Sequence, residues 1–310
     1  MSHLKPSTTK FKLNTGAEIP GIGLGTWRST DDEVYNAVIT ALKNGYRHID
    51  TAAIYRNEEA VGRGIRDSGV PREEIFVTTK LWGTQHRNPL KGLEESLQRM
   101  GLEYVDLYLM HWPVPLKDNP KYPGIPPASV GIERNTDLEN WDFVKTWELM
   151  QELPATGKTK AIGVSNFSVN NIKQLLASPG NKIVPATNQV ELHPLLPQDE
   201  LVSFCQEKGI VVEAYSPLGS GTSDIITDPI IVGLAKKYNV EPAQYLINWG
   251  LKRGYVVLPK SITPSRIISN FQEFDLTADD VKNAYTLPFY RGEKRLISPD
   301  WGTFKTFEYT

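Results

Sequence analysis

From Gly45 onward the chain alternates short runs that are apolar almost throughout with longer stretches in which apolar residues recur every three or four positions. The pairs run YRHIDTA then EEAVGRGIRDSG, EIFVTTKLW then PLKGLEESLQRMG, and YVDLYLMHW then WDFVKTWELMQEL. They continue with KAIGVSNFS then VNNIKQLLAS, PATNQVEL then QDELVSFCQEKG, GIVVEAYSPLG then DPIIVGLAKKYN, and YVVLPKSI then TPSRIISNF. A short apolar run followed by an amphipathic helix predicts parallel strands joined by crossover helices. With GIGLGTW and DDEVYNAVITALKNG as the first unit, the pattern gives eight βα units, the number that closes a (β/α)8 TIM barrel. No shift of composition divides the series, so a single domain spanning residues 1–310 is expected.

Three segments fall outside the repeat. FKLNTGAEIPGIG carries a turn signal at Asn14-Thr15-Gly16 between two apolar runs and predicts an N-terminal β-hairpin that plugs the barrel floor. VPLKDNPKYPGIPPASVGIERNTDLEN, after strand four, is too long for a mere connector. An extended C-terminal tail, LPFYRGEKRLISPDWGTFKTFEYT, is placed to fold over the mouth around Trp301. Long loops at the carboxyl ends of barrel strands face the active-site side of this fold.

Composition narrows the classes. Hydrophobic residues at 40% and charged residues at 23% support a large core, and a formal charge of −2 without a basic run argues against nucleic acid or an anionic membrane. The single Cys205 lies beside Leu201 and Val202 on a helical period and reads as core packing. MSHLKPSTTK has no signal-like apolar stretch and no later run suits a membrane helix, so a soluble, cytoplasmic monomer is expected.

In a barrel, polar groups at the carboxyl ends of strands meet at one mouth. Asp50 ends strand two, Tyr55 follows it, Lys80 ends strand three, and His111 ends strand four. This set suits proton transfer by a phenol: an ammonium within about 4–6 Å favours the phenolate and lowers a pKa that is otherwise near ~10. Lys80 supplies that charge, and a buried ammonium needs a carboxylate, which is the role Asp50 fills. His111 is placed to hydrogen-bond a substrate carbonyl. Trp27, Trp82 and Trp112 follow strands one, three and four and would wall a water-excluding substrate pocket together with Tyr55 and His111. A metal-dependent hydrolase would need converging ligands, whereas the five histidines are scattered, so no metal site is expected.

KNGYRHIDTAAIYRNE, MGLEYVDLYLMHWP and VVLPKSITPSRI each resemble a signature segment of the aldo-keto reductase superfamily, and the likeness covers nearly the whole chain, nearest to the fungal NADPH-dependent glycerol-dehydrogenase-like members. The resemblance implies reversible carbonyl reduction, or oxidation of a polyol such as glycerol, with Tyr55 as acid–base residue, Asp50 and Lys80 tuning it, and His111 orienting a small carbonyl or alcohol substrate. The hydride donor, NADPH, enters through the resemblance. It also implies that Ser165, Asn166 and Gln189 hold the nicotinamide carboxamide, that Tyr215 stacks on the ring, and that Lys260, Ser261 and Arg266 take the 2′-phosphate. Thr26, Trp27 and Asp50 at the mouth, Ser216, Leu218 and Ser220 after strand seven, and Ile262, Thr263, Ser269 and Asn270 after strand eight complete the expected cofactor set.

Two loops support a phosphate grip independently. YSPLGSGTS and PKSITPSR follow strands seven and eight, where barrels bind phosphate, and offer hydroxyls and the cations Lys260 and Arg266. GIGLG is not a dinucleotide fingerprint, for it lacks the last glycine of G-x-G-x-x-G. One departure stands out: where many relatives have Arg-Ile-x-Glu-Asn, this chain has Arg266-Ile267-Ile268-Ser269-Asn270, which weakens the expected adenine contact. The strand-seven loop is short and lacks a tryptophan, which implies an open pocket. A cofactor-binding regulatory barrel with little turnover is the alternative, since a complete tetrad does not by itself distinguish the two.

Overall fold

The structure is a computed structural model that describes residues 4–221 and 224–307. Four short strands come first: β1 (Lys5–Pro6), β2 (Lys10–Lys12), β3 (Glu18–Pro20) and β4 (Leu24–Gly25). Then follow α1 (Asp31–Lys43), β5 (His48–Asp50), α2 (Glu58–Asp67), β6 (Phe76–Leu81), α3 (Pro89–Met100), β7 (Val105–Met110), α4 (Phe143–Met150), β8 (Thr159–Ser165) and α5 (Val169–Ala177). The series continues through β9 (Thr187–Glu191), α6 (Asp199–Glu207), β10 (Val211–Tyr215), α7 (Pro229–Lys237), α8 (Pro242–Lys252), β11 (Val256–Val257), α9 (Pro264–Asn270), β12 (Gln272–Glu273), α10 (Ala278–Ala284) and α11 (Thr286–Arg291).

Strands β4 to β11 pair in sequence order, all parallel, as one eight-stranded sheet. The sheet closes on itself: Ile22 bridges Val257, and the Val257 N–H donates to the Gly21 carbonyl at 2.8 Å while the Gly23 N–H donates to the Val257 carbonyl at 3.0 Å. This is the (β/α)8 barrel that the eight apolar runs predict.

Strand alternation sets what faces where. Val77, Leu81, Tyr108 and Met110 point outward into the main core beneath the helices, whereas Phe76, Leu107, Leu109, Ala161 and Val256 form a separate cluster inside the barrel. The β2–β3 hairpin closes that inner cluster from below, contributing Leu13 and Ile19 as expected from its turn sequence. The interior is tight: a Cβ on Gly163 would stand 2.8 Å from the Thr187 carbonyl oxygen, so only glycine lets β8 and β9 meet there. With the lower barrel filled, polar side chains gather at the upper ends of the strands.

Three helices differ from the sequence reading. α8 is not separable as an element in the sequence because every residue from Gln244 to Gly250 is buried, leaving no exposed polar stripe to reveal a 3.6-residue period. It lies between the barrel and α10, with Tyr245 Oη donating to the Asp280 carbonyl and Trp249 Nε1 to the Val281 carbonyl. α10 lies between the last βα unit and the stretch that reads as tail, α11 takes up the start of that stretch, and beyond Arg291 the described chain runs to Phe307 without regular structure.

Candidate active site

Strand phase delivers Asp50 and Lys80, a turn after β5 delivers Tyr55, and His111 directly follows β7. Asp50 is the last residue of β5 and faces inward; Lys80, on the inward phase of β6, rises beside it; the chain after β5 turns through residues 53–55 and presents Tyr55 above both. Lys80 is fully buried, and its Nζ donates to Asp50 Oδ2 at 2.7 Å, to the Thr51 carbonyl at 2.8 Å and to Tyr55 Oη at 3.4 Å. Asp50 Oδ1 accepts from Gln189 Nε2 at 2.8 Å, and Thr26 Oγ1 donates to the Asp50 carbonyl at 2.9 Å. The carboxylate in the buried strand is thus paired with a cation and held by an amide, which a buried charge requires.

The electrostatics correct one expectation. Lys80 does act to lower the Tyr55 pKa, but burial is the larger influence and Asp50 also opposes it, so the phenol sits above its ordinary value rather than below. Tyr55 therefore holds its proton at neutral pH and is disposed to donate. For Lys80, burial works against the charge, yet Asp50 and Tyr55 together outweigh it and its pKa is raised, which keeps the ammonium. Burial, with Lys80 in second place, holds His111 well below its usual range. It stands as a neutral imidazole, able to offer one N–H to a carbonyl oxygen. Its ring lies 5.8 Å from that of Tyr55 and 5.6 Å from Trp82, edge to face in both cases.

The walls are aromatic. Trp82 and Trp112 join Val114, Leu116 and Trp301 in a buried cluster against which Ile54, Ile125 and Ile297 pack, while Trp27, half-buried, lies 6.5 Å from Tyr55 between ring centres. Trp301 comes from the C-terminal tail, so the tail does fold over the mouth, 5.4 Å from Trp112 and 6.4 Å from Trp82.

Next to the four ionisable groups, Ser165, Asn166, Gln189 and Tyr215 form a connected layer. Ser165 Oγ donates to the Gln189 carbonyl at 2.8 Å, Asn166 Nδ2 donates to the His111 carbonyl at 3.0 Å, and Tyr215 Oη donates to Asn166 Oδ1 at 2.7 Å. Asn166 holds φ at 61°, a left-handed conformation that asparagine tolerates better than most residues. The half-buried Tyr215 ring, rimmed by buried amides and a hydroxyl, fits a planar amide-bearing ring.

The remaining cofactor candidates lie beyond the ends of β10 and β11. Ser216 and Ser220 both take left-handed backbone and share a hydroxyl contact of 2.5 Å, and Leu218 packs partly against the main core. Lys260 and Arg266 are exposed and form no ion pair among the described residues, although Lys260 Nζ donates to the Arg28 carbonyl at 3.2 Å. Ser261 Oγ accepts from the Thr263 N–H, Ile262 is exposed, and Thr263 precedes α9. Two cations and hydroxyls in solvent reach are a donor set suited to a phosphate. Ser269 turns its hydroxyl back to the Arg266 carbonyl at 3.2 Å, and Asn270 is buried.

Sequence reading missed two inward carboxyls near the mouth, Glu191 ending β9 and Glu213 in β10. The signal that singled out Asp50, an acid in an apolar strand, was present in NQVEL and VVEAY as well.

A family model described as the aldo/keto reductase family matches residues 21–286. The chain is 61% identical over 308 residues to aldehyde reductase YPR1 of Saccharomyces cerevisiae, covering 98% of this chain and 99% of that protein. It is 59% identical over 309 residues to glycerol 2-dehydrogenase (NADP(+)) of the same yeast, with the same coverage of each chain. Among solved structures, aldose reductase from Schistosoma japonicum superposes with a TM-score of 0.83 at 37% identity, covering 94% of both chains. A Bombyx mori aldo-keto reductase in complex with NADP does so with a TM-score of 0.82, also at 37% identity, covering 95% of this chain and 96% of that one.

Proposed function

The chain belongs to the aldo/keto reductase family, and on that premise we propose that it reduces aldehydes and ketones to alcohols with NADPH, Tyr55 delivering the proton to the carbonyl oxygen. The observation that carries this reading is the placement of Lys80 Nζ between Asp50 Oδ2 and Tyr55 Oη at the barrel mouth. NADPH, when bound, supplies the hydride that goes to the carbonyl carbon. The chain supplies the rest. His111 hydrogen-bonds the carbonyl oxygen and turns it toward Tyr55 Oη, and Trp27, Trp82 and Trp112 exclude water. As the proton leaves, Lys80 stabilises the phenolate, and Asp50 keeps Lys80 charged and fixed.

Ser165, Asn166 and Gln189 would hold the carboxamide of the nicotinamide, with Tyr215 beneath its ring. Lys260, Ser261 and Arg266 would take the 2′-phosphate, and Thr26, Ser216, Leu218, Ser220, Ile262, Thr263 and Asn270 would complete the cofactor set. Because Ser269 bonds its own helix, the phosphate grip carries more of the cofactor affinity.

The same site run backward oxidises an alcohol, and a polyol such as glycerol fits this, given the similarity to a glycerol 2-dehydrogenase. That direction needs Tyr55 deprotonated and so gains with rising pH, whereas reduction uses the protonated phenol that prevails at neutral pH. The regulatory alternative has no support, since the similar proteins are reductases and a dehydrogenase. The proposal includes a single domain over residues 1–310 and a cytoplasmic location, and a monomer, since one chain supplies every side chain of the proposed site. No helix among the described residues is long and apolar enough to cross a membrane. The test is to mix the protein with NADPH and a panel of aldehydes, ketones and α-keto esters and follow cofactor absorbance. No loss of absorbance with any of them would refute the proposal.

A further inference from the structure

We infer that Glu191 is a positioning residue for substrate selection: its carboxylate seats the root of the C-terminal tail and so fixes where Trp301 stands in the pocket wall. The inference rests on the proposed carbonyl reduction for its effect on turnover. Glu191 closes β9 on the inward phase, in register with Tyr215, and is fully buried. Its Oε1 accepts from the Leu296 N–H at 2.8 Å and lies 2.8 Å from His193 Nε2; its Oε2 accepts from the Ile297 N–H at 2.9 Å. One carboxylate therefore satisfies two consecutive backbone donors of a segment that has no helix or strand to satisfy them.

Neighbouring contacts converge on the same point. Gln198 Nε2 donates to the Glu191 carbonyl at 2.7 Å, Gln198 Oε1 accepts from Arg295 Nη2 at 3.0 Å, and the Lys294 N–H donates to the Leu195 carbonyl at 2.9 Å. From there the path to the site is short. Ile297 packs against the aromatic cluster, Trp301 lies against Trp82 and Trp112 within it, and Trp82 touches the His111 ring. Among the described residues no hydrogen bond joins Glu191 or Gln198 to the Asp50–Lys80–Tyr55 set. Glu191 thus acts on selection through the tail, with its charge also felt by the neighbouring Tyr215.

The experiment compares full-length wild type, Glu191→Gln and Glu191→Ala, with Trp301→Ala as reference. Three quantities are read: hydrogen exchange in peptides covering residues 292–301, NADPH affinity by fluorescence titration, and kcat and KM for propanal and for a bulky aromatic aldehyde. Loss of charge-assisted bonds to both amides should speed exchange there by about tenfold or more in Glu191→Ala. The ratio of kcat/KM for bulky over small aldehyde should shift by about tenfold, mainly through KM, in the direction that Trp301→Ala takes. NADPH affinity should stay within about twofold. Glu191→Gln keeps one acceptor oxygen and should restore part of both effects; it also serves if Glu191→Ala does not fold. Unchanged exchange in Glu191→Gln and Glu191→Ala would overturn the latch, and faster exchange with an unchanged substrate ratio would overturn its role in selection. If wild type turns over no aldehyde, the functional reading fails, while exchange still decides whether Glu191 holds the tail.

Discussion

Replacing Glu213 by glutamine should stabilise the protein at alkaline pH and do almost nothing in mild acid. Glu213 faces inward on β10, in register with Gln189, without solvent exposure and with neither oxygen in a hydrogen bond of normal geometry. Burial first, and the Asp50 carboxylate second, push its pKa up to about 8, while Thr187, Lys80 and Gln189 lie close enough to temper the shift. An unfolded glutamate titrates near ~4.3, so across about four pH units the folded state keeps a proton that the unfolded chain has lost. In that window the native state binds more protons, stability falls as pH rises, and the fall levels off above the folded pKa of about 8. With nothing relaxing the loss would approach ~5 kcal/mol; water entry and side-chain adjustment reduce the expectation to ~2–3 kcal/mol. Glutamine has the same shape and cannot ionise.

For a chain of this length an unfolding entropy of ~2.1 cal/mol/K per residue makes one kcal/mol worth ~1.5 °C, so Glu213→Gln should raise Tm by ~3–5 °C near pH ~8.5 and hardly at all near pH ~5. Thermal unfolding followed by dye fluorescence, without cofactor, at several pH values provides the comparison. An offset of the same size at every pH would mean that Glu213 is not holding a proton in the folded state.

Other side chains give sharper functional outcomes. Lys80→Met removes the cation from a fully buried pair and leaves Asp50 with Gln189 as its side-chain partner. It should cost ~3–5 kcal/mol of stability, abolish most carbonyl reduction and raise the apparent pKa of any residual step that uses the phenol. An active variant with an unchanged pH profile would make the lysine structural. Arg266→Ala should weaken NADPH binding ten- to a hundred-fold, corresponding to ~1.5–3 kcal/mol for charge-assisted bonds, and leave NADH binding little changed. Fluorescence titrations with both cofactors decide, and equal weakening of the two would show that the residue supports the loop after β11 instead.

What the sequence reveals depends on whether local period and chemistry coincide. The eight strands are legible because each is a short apolar run set off from a helix with a polar face, and the hairpin because its turn residues separate two such runs. α8 escapes because a helix buried on all sides carries no stripe. Asp50, Lys80 and His111 stand out as ionisable groups at strand ends, and the barrel's geometry is enough to bring them together. The net direction of the Tyr55 pKa was not legible, because it is decided by how completely the mouth is buried, a property of tertiary packing. The tail's role at the wall was foreseeable from Trp301, but its anchor was not: Glu191 and the amides of Leu296 and Ile297 are about a hundred residues apart in the chain.

The proposed reduction rests on Tyr55 supplying the proton to a carbonyl while other residues bind the cofactor. Tyr55→Phe removes only the hydroxyl that accepts from Lys80 Nζ, and keeps the ring that packs against Trp27 and His111. NADPH titration and single-turnover reduction of an aldehyde by the same preparation form the direct measurement. The expected result is cofactor affinity close to wild type with reduction slower by at least ~10²–10⁴, the usual contribution of a positioned acid. Reduction within about tenfold of wild type, with NADPH bound normally, would contradict the claim.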